Sequence, residues 1–253
     1  MIKSKKLSRF KDVEHAFFNK LGGKSVGIFK SLNCGPGSSD NKQDILKNLK
    51  IVERKIRSNS RKLILLNQIH SNKFCFIDKY SKLNNNKLIG DALITNKLNT
   101  PIGVLTADCA PILIFDSKNK IIAAIHAGWK GAFKGIIKKV IKFLIKKGSS
   151  TDNITAVIGP CISLKNYEVK QDFIKKFIKN DVKTKIFFKK IKNKNCFNLS
   201  QYIAYQLKNL DIKKIEVINK DTFNIKNNFF SARRSKSRNE VDYGRNISVI
   251  MIN

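Results

Sequence analysis

Three side chains in this sequence carry the clearest chemical potential: His70, Cys109 and His126. Each stands just past, or at the end of, a short apolar run, over residues 63–66, 102–105 and 121–125. Such runs, bounded by polar clusters, read as buried strands. The clusters are Asn67-Gln68-Ile69-His70, Thr106-Ala107-Asp108-Cys109 and His126-Ala127-Gly128-Trp129-Lys130-Gly131. Two imidazoles and a thiol held at strand ends make a ligand set for zinc, whose catalytic sites keep three protein ligands and one open position. Asp108 and Gln68 are placed to orient those ligands from behind. The same residues support two rivals. Cys109 beside His126 or His70 makes a thiolate–imidazole pair for nucleophilic catalysis. Two His and one Cys are also a blue-copper set. A four-copper oxidase is set aside, because its trinuclear cluster needs many histidines and this chain has three. Lone His and Cys residues are also common in plain packing roles.

The elements that must position these side chains follow from periodicity. Residues 13–18 read as a strand, and His15 within it reads as structural. Leu21-Gly22-Gly23 is a turn. Gly35-Pro36-Gly37-Ser38-Ser39-Asp40 is a loop ending on a helix cap. It leads into a helix over 41–56, with Ile45, Leu46, Leu49, Val52 and Ile56 at helical spacing. Residues 74–77 continue as a strand and 81–87 as a polar loop. Residues 90–95 are a turn entering a strand, where Asp91 suits a cap, a turn residue or an active-site carboxylate. The spacing predicts one amphipathic helix over 132–147, stopped by Gly148. Further strands are expected at 154–158, 215–218 and 247–252, an extended segment at 186–188, and helices at 171–178 and 200–209. Gly159-Pro160-Cys161-Ile162 is a tight turn. Without tandem repeats or a linker, the pattern is one α/β domain over residues 1–253, with mixed sheets covered by helices.

Composition narrows the classes. The chain has 253 residues and is 42% hydrophobic, enough to bury a substantial core. Its formal charge is +33. The basic residues are spread along the whole length, and Lys, Asn, Ile and Phe all have codons rich in A and T, so drift in composition accounts for the charge. The alternative is a basic nucleic-acid-binding protein without catalysis, its partner held through that surface. Five cysteines without a CxxC pair argue against a disulfide framework and for a reducing compartment. The basic N-terminus lacks the apolar core of a signal peptide. No apolar run approaches the ~20 residues of a membrane span. The expectation is a soluble cytoplasmic protein with no membrane partner. Neither a phosphate-binding G-x-x-x-x-G-K-[ST] loop nor a dinucleotide GxGxxG follows a strand. The H-x-E…P-C-x-x-C signature of zinc base deaminases is absent too.

Six segments together resemble the motif series of one family. They are Gln68-Ile69-His70, residues 90–95, Thr106-Ala107-Asp108-Cys109-Ala110-Pro111, residues 126–131, Ile158-Gly159-Pro160-Cys161-Ile162 and Tyr167-Glu168-Val169. The family is the YfiH-like one, first labelled laccase-domain or polyphenol oxidoreductase. Its members are described as purine nucleoside phosphorylases that also deaminate adenosine. The likeness runs from near His15 to Arg245. It implies a layered α/β/β/α fold shared with a bacterial toxin's cysteine-hydrolase domain. It also implies zinc on His70, Cys109 and His126. The substrates implied are adenosine, inosine, guanosine and methylthioadenosine, with phosphate as co-substrate. Members have also been linked to editing peptidoglycan precursors, which keeps a Cys–His hydrolase as the alternative enzyme. The chain departs from the pattern at Ser71, at Lys130, at Asp221-Thr222-Phe223 and at Phe230-Ser231-Ala232-Arg233-Arg234. In a phosphorylase, positive groups must hold phosphate against an oxocarbenium-like transition state. Arg233, Arg234 and Arg245 suit that role, since guanidinium forks match phosphate oxygens. Asp108 and Lys130 are further candidates beside the ligands.

Overall fold

A computed structural model describes residues 1–56, 62–78, 81 and 88–253 of the chain. Of the polar loop expected over 81–87, residues 82–87 lie outside the described residues. In chain order the first elements are β1 (Val13–Phe17), α1 (Lys42–Lys55), β2 (Phe74–Ile77), β3 (Ala92–Thr95), β4 (Ile102–Thr106), β5 (Ala110–Asp116) and β6 (Ile121–Ala127). Then come α2 (Trp129–Phe133), α3 (Ile136–Lys146), β7 (Ile154–Ile158), α4 (Gln171–Asn180), β8 (Phe188–Ile191), β9 (Lys194–Phe197), α5 (Leu199–Lys208), β10 (Lys214–Val217), α6 (Ala232–Ser237) and β11 (Asn246–Ile252).

The strands form a six-stranded mixed sheet, β10-β7-β5-β6-β3-β2, and a three-stranded antiparallel sheet, β1-β11-β4. β8 and β9 make a separate hairpin. Alternation along each strand separates the layers, because successive side chains point to opposite faces. On β6, Ile121, Ala123 and Ile125 pack with Ile136, Ile137, Val140 and Ile203 of α3 and α5. Ile122 and Ala124, between them, face the other way and meet Ile102, Val104, Ile250 and Ile252 of the smaller sheet. The outer face of that sheet, with Ala16, Ile247 and Val249, is covered by Val52 of α1 and by Ile56. The order is therefore helices, sheet, sheet, helix, and the α/β fold with mixed sheets is as expected.

Several elements differ from their expected form. The run 102–105 and the run 121–125 are strands but lie in different sheets, as β4 and β6. Between them stands β5, unforeseen and buried at all seven positions. It pairs with both β6 and β7. Residues 63–66 are not a strand. Ile64 bridges Ile102 and Asn67 bridges Ile89, each in isolation. Leu63 packs in the layer under α1 and Leu66 in the layer between the sheets, so this segment crosses layers and cannot sustain one ladder. The helix expected over 132–147 is two helices, broken where Gly135 takes φ 80. The 186–188 segment begins as a 3-10 turn, Val182–Phe187, capped by Asp181 accepting from the Lys183 N–H, and becomes extended only at Phe188. Among the described residues no helix is long and apolar enough to cross a membrane.

Candidate active site

Register explains why the three ligand candidates meet. β6 pairs with β3 so that Ala92 opposes Ile125, which sets Asp91 opposite His126. It pairs with β5 so that Ala110 opposes Ala127, which sets Cys109 opposite Gly128. Asp91, Cys109 and His126 thus share the face that continues the layer between the sheets, one step beyond its apolar part. His70 arrives from the crossing segment and adopts φ 55, while Asp108, just before Cys109, adopts φ 84. Both are left-handed backbone conformations, uncommon for residues other than glycine though more accessible to Asp and His than to most.

The donor atoms of His70, Cys109 and His126 all lie within 4.8 Å of one another. Cys109 Sγ is 3.9 Å from Nε2 of His70, and the two imidazoles meet edge to face at 4.7 Å between centroids. Behind them stands Asp91, fully buried. One of its oxygens is 2.9 Å from Nδ1 of His126 and accepts the His70 N–H at 3.0 Å. The other accepts both the N–H and the hydroxyl of Ser71. With Nδ1 engaged by the carboxylate, His126 presents Nε2 to the ligand cluster. Gly128 leaves the room: a Cβ there would lie 2.7 Å from Cys109 Sγ and 3.3 Å from the His70 ring.

Burial would raise the Asp91 carboxyl, but hydrogen bonds from His126 and Ser71 outweigh it and hold the group at about 2. Burial likewise opposes charge on Cys109 and on His126. Their mutual attraction wins, lowering the thiol and, with help from Asp91, raising the imidazole.

A cavity of about 570 Å³ opens over the cluster. Its lining includes all three ligand candidates, the leucines Leu65, Leu66, Leu88 and Leu105, the loop Gly35-Pro36-Gly37, and Tyr243 with Arg245. The Arg245 guanidinium stacks on the Tyr243 ring, 4.3 Å from its centroid, and binds Asp242 and the Tyr243 carbonyl. The backbone here is fixed by Asn33, which accepts the Arg245 and Gly35 N–H groups. A Cβ on Gly35 would lie 2.4 Å from Arg245 Cδ.

The other candidates stand elsewhere. Asp108 accepts the Thr222 hydroxyl and the Arg233 N–H, so the carboxylate behind the ligands is Asp91 rather than Asp108. Burial raises its carboxyl. Gln68 closes two hydrogen bonds on the Leu105 main chain and so secures the segment before His70 to β4. The Arg233 guanidinium binds the Glu168 carbonyl and lies over the Tyr167 ring. Arg234 binds the Thr222, Phe223 and Phe229 carbonyls and lines a different cavity. Lys130 is exposed on α2, its ammonium over the Trp129 ring. His15 is buried in β1, where Nε2 accepts the Ser4 N–H. Sequence reasoning missed Tyr243 and the Gly35-Pro36-Gly37 loop as cavity walls. A Gly-Pro-Gly turn is a recognisable close-approach signal, whereas Tyr243 carried none.

Residues 14–253 match the sequence profile of a family described as multi-copper polyphenol oxidoreductase laccase. The purine nucleoside phosphorylase of Haemophilus influenzae is 35% identical over 240 residues, covering 93% of each chain. That of Bacteroides thetaiotaomicron is 31% identical over 263 residues, covering 100% of this chain and 96% of that one. Among solved structures, the hypothetical protein YfiH of Bacillus licheniformis superposes with a TM-score of 0.85 at 27% identity. The match covers 95% of this chain and 93% of that one.

Proposed function

The chain belongs to the family described as multi-copper polyphenol oxidoreductase laccase, and on that premise we propose that it is a purine nucleoside phosphorylase that uses zinc. The reading draws on the relatives that bear that name. The observation that carries it is one cavity holding two imidazoles, a thiol and a stacked guanidinium. The substrates are adenosine, inosine, guanosine and methylthioadenosine, with phosphate, and adenosine deamination is a second activity of the same site.

The donor set fits zinc: two imidazole nitrogens and a sulfur held as thiolate, with a carboxylate fixing one tautomer. Zinc bound there supplies Lewis acidity toward the substrate. Copper suits the same donors, and metal analysis of the purified protein separates the two. The remaining work falls to the chain's own side chains. A phosphate oxygen attacks C1′ of the ribose as the bond to the purine nitrogen breaks, and positive charge builds on the sugar. Arg245, stiffened by Tyr243 and Asp242, holds the phosphate at that moment. The four leucines give the purine an apolar wall and keep water from the sugar.

A second reading rests on one observation. Cys109, His126 and Asp91 also have the order of a nucleophile, its base and an orienting carboxylate. A Cys–His hydrolase would use Cys109 as a free thiolate. Iodoacetamide labelling separates the two. As a ligand, Cys109 should label slowly in the metal-loaded protein and quickly after chelation, and zinc added before labelling should restore activity. Conversion of inosine and phosphate to hypoxanthine should follow the metal. Full activity in metal-free protein, abolished by rapid labelling, would replace the zinc reading with the hydrolase.

A further inference from the structure

A second cavity, of about 380 Å³, shares no lining residue with the first. The short helix α6 stands between the two sites. The Arg233 N–H holds Asp108, the neighbour of Cys109, while Arg234, Ser235 and Arg238 line the second cavity. Four cations line it, Lys20, Lys30, Arg234 and Arg238, with one lining carboxylate, Glu240, while Asp108 and Asp221 also act on Arg234 from outside the lining. Among the described residues none of the four forms an ion pair.

Arg234 and the Lys20 main chain are held in place, while Lys30 and Arg238 are exposed. Arg234 is anchored through three main-chain carbonyls, which leaves part of its five-donor fork for a ligand. The main chain of Lys20 is pinned at both ends: its carbonyl accepts from the Ser31 and Leu32 N–H groups and the Ser31 hydroxyl, and its N–H donates to the Asn228 carbonyl. Gly23 packs so closely on this segment that a Cβ would sit 2.1 Å from the Ser31 carbonyl oxygen. Burial first, then the charges of Arg234, Arg238 and Lys30, lower the Lys20 ammonium against the opposing charge of Glu240. The lip is apolar, with Leu21, Ile28 and Ile225 all exposed. Isolated exposed apolar residues are ordinary. Three around one cationic cavity form a site with a cationic end and an apolar side.

We propose that this cavity binds a phosphomonoester of nucleotide size, its phosphate among Lys20, Lys30, Arg234 and Arg238 and its apolar body on Leu21, Ile28 and Ile225. The volume lies within the range of small-molecule sites. A lone inorganic phosphate would leave the apolar lip unused. The inference stands apart from the turnover reading.

Calorimetric titration of the full chain with uridine 5′-monophosphate, whose pyrimidine is not the base assigned to the first cavity, tests it. The Lys30→Ala/Arg238→Ala variant removes two exposed cations, and its melting temperature checks the fold. Its affinity should fall on the order of ten-fold or more, as expected for two lost charge-assisted contacts. Arg245→Ala, in the first cavity, should leave that affinity unchanged. So should Lys175→Ala/Lys179→Ala, which removes two exposed charges from α4. Inorganic phosphate alone should bind more weakly. The proposal fails if the wild type does not bind the nucleotide or if the α4 variant loses as much affinity. It fails equally if Arg245→Ala abolishes binding or if phosphate alone binds as well. Preference for phosphatidylserine vesicles over the nucleotide, lost in the same variant, would assign the face to a membrane surface and overturn it.

Discussion

The Asp91 carboxylate stands 2.9 Å from Nδ1 of His126, and both side chains are cut off from solvent. The pair faces across adjacent strands, and the main chain seals it, since the His126 N–H donates to the Asp91 carbonyl at 2.7 Å. Asp91 also holds the His70 N–H, so one carboxylate sets the position of two of the three ligand candidates.

Asp91→Asn keeps the shape and removes the charge that fixes the His126 tautomer. Metal affinity should fall about 10–100-fold, the usual cost of losing such a partner, measured by competition with a chromogenic chelator. Asp91→Ala should in addition destabilise the fold by roughly 3 kcal/mol, because buried donors on His126 and Ser71 lose their acceptor. Urea unfolding reads that loss. Unchanged affinity in Asp91→Asn would show that the carboxylate serves packing alone.

Gly128→Ala tests the cradle. Gly128 has φ −72, which alanine accepts without strain, so the effect comes from the methyl group and its contact with Cys109 Sγ. The variant should fold, judged by circular dichroism, yet hold far less than one metal per chain and lose at least about ten-fold in turnover. Normal metal content would mean that the thiolate has room to shift.

Arg245→Lys keeps a charge but loses the planar fork and the stack on Tyr243. The KM for phosphate should rise by about ten-fold or more, with a smaller effect on the KM for nucleoside. Gly35→Ala should act in the same direction without touching a charge, by displacing Arg245 Cδ. Equal changes in both KM values would remove Arg245 from the phosphate role.

His15 sets a pH limit on stability. Burial first, then the Lys3 charge, lowers its imidazole to about 4, against the opposing effects of Glu14, Glu216 and the Ser4 N–H. The unfolded chain therefore binds a proton that the folded chain refuses between about pH 6.5 and pH 4. The stabilisation is complete above 6.5 and is lost as pH falls toward 4, by up to roughly 3 kcal/mol at ~1.4 kcal/mol per pKa unit. His15→Gln keeps an acceptor for the Ser4 N–H and does not titrate. Its unfolding free energy should fall less than that of the wild type over this interval, and parallel curves would show that His15 is accessible to protons in the folded state.

Much of the site was legible in the chain itself. Apolar runs ending in Cys or His marked His70, Cys109 and His126, because strand alternation and turn chemistry are local properties. The helices over α1, α4 and α5 followed from spacing for the same reason. The role of Asp91 was visible only as one of three options. Its choice depends on the β3–β6 register, set by which apolar faces the two sheets bury together.

Adjacency in sequence does not fix a shared site where neighbours diverge in space. Arg233 and Arg234 stood together as phosphate ligands, but successive residues on a helix point about 100° apart, and α6 sends them to different partners. Arg245 reaches the first cavity because β11 pairs with β4, and because Asn33 ties its N–H to the Gly35 loop more than two hundred residues away. By itself the sequence determined the fold class, many of the elements and the three donor types, though not β5, the break at Gly135 or the irregular segment before His70. Tertiary structure decided which donors share a cavity, because that follows from register and layer order, and these are settled only when non-local apolar faces are buried against one another.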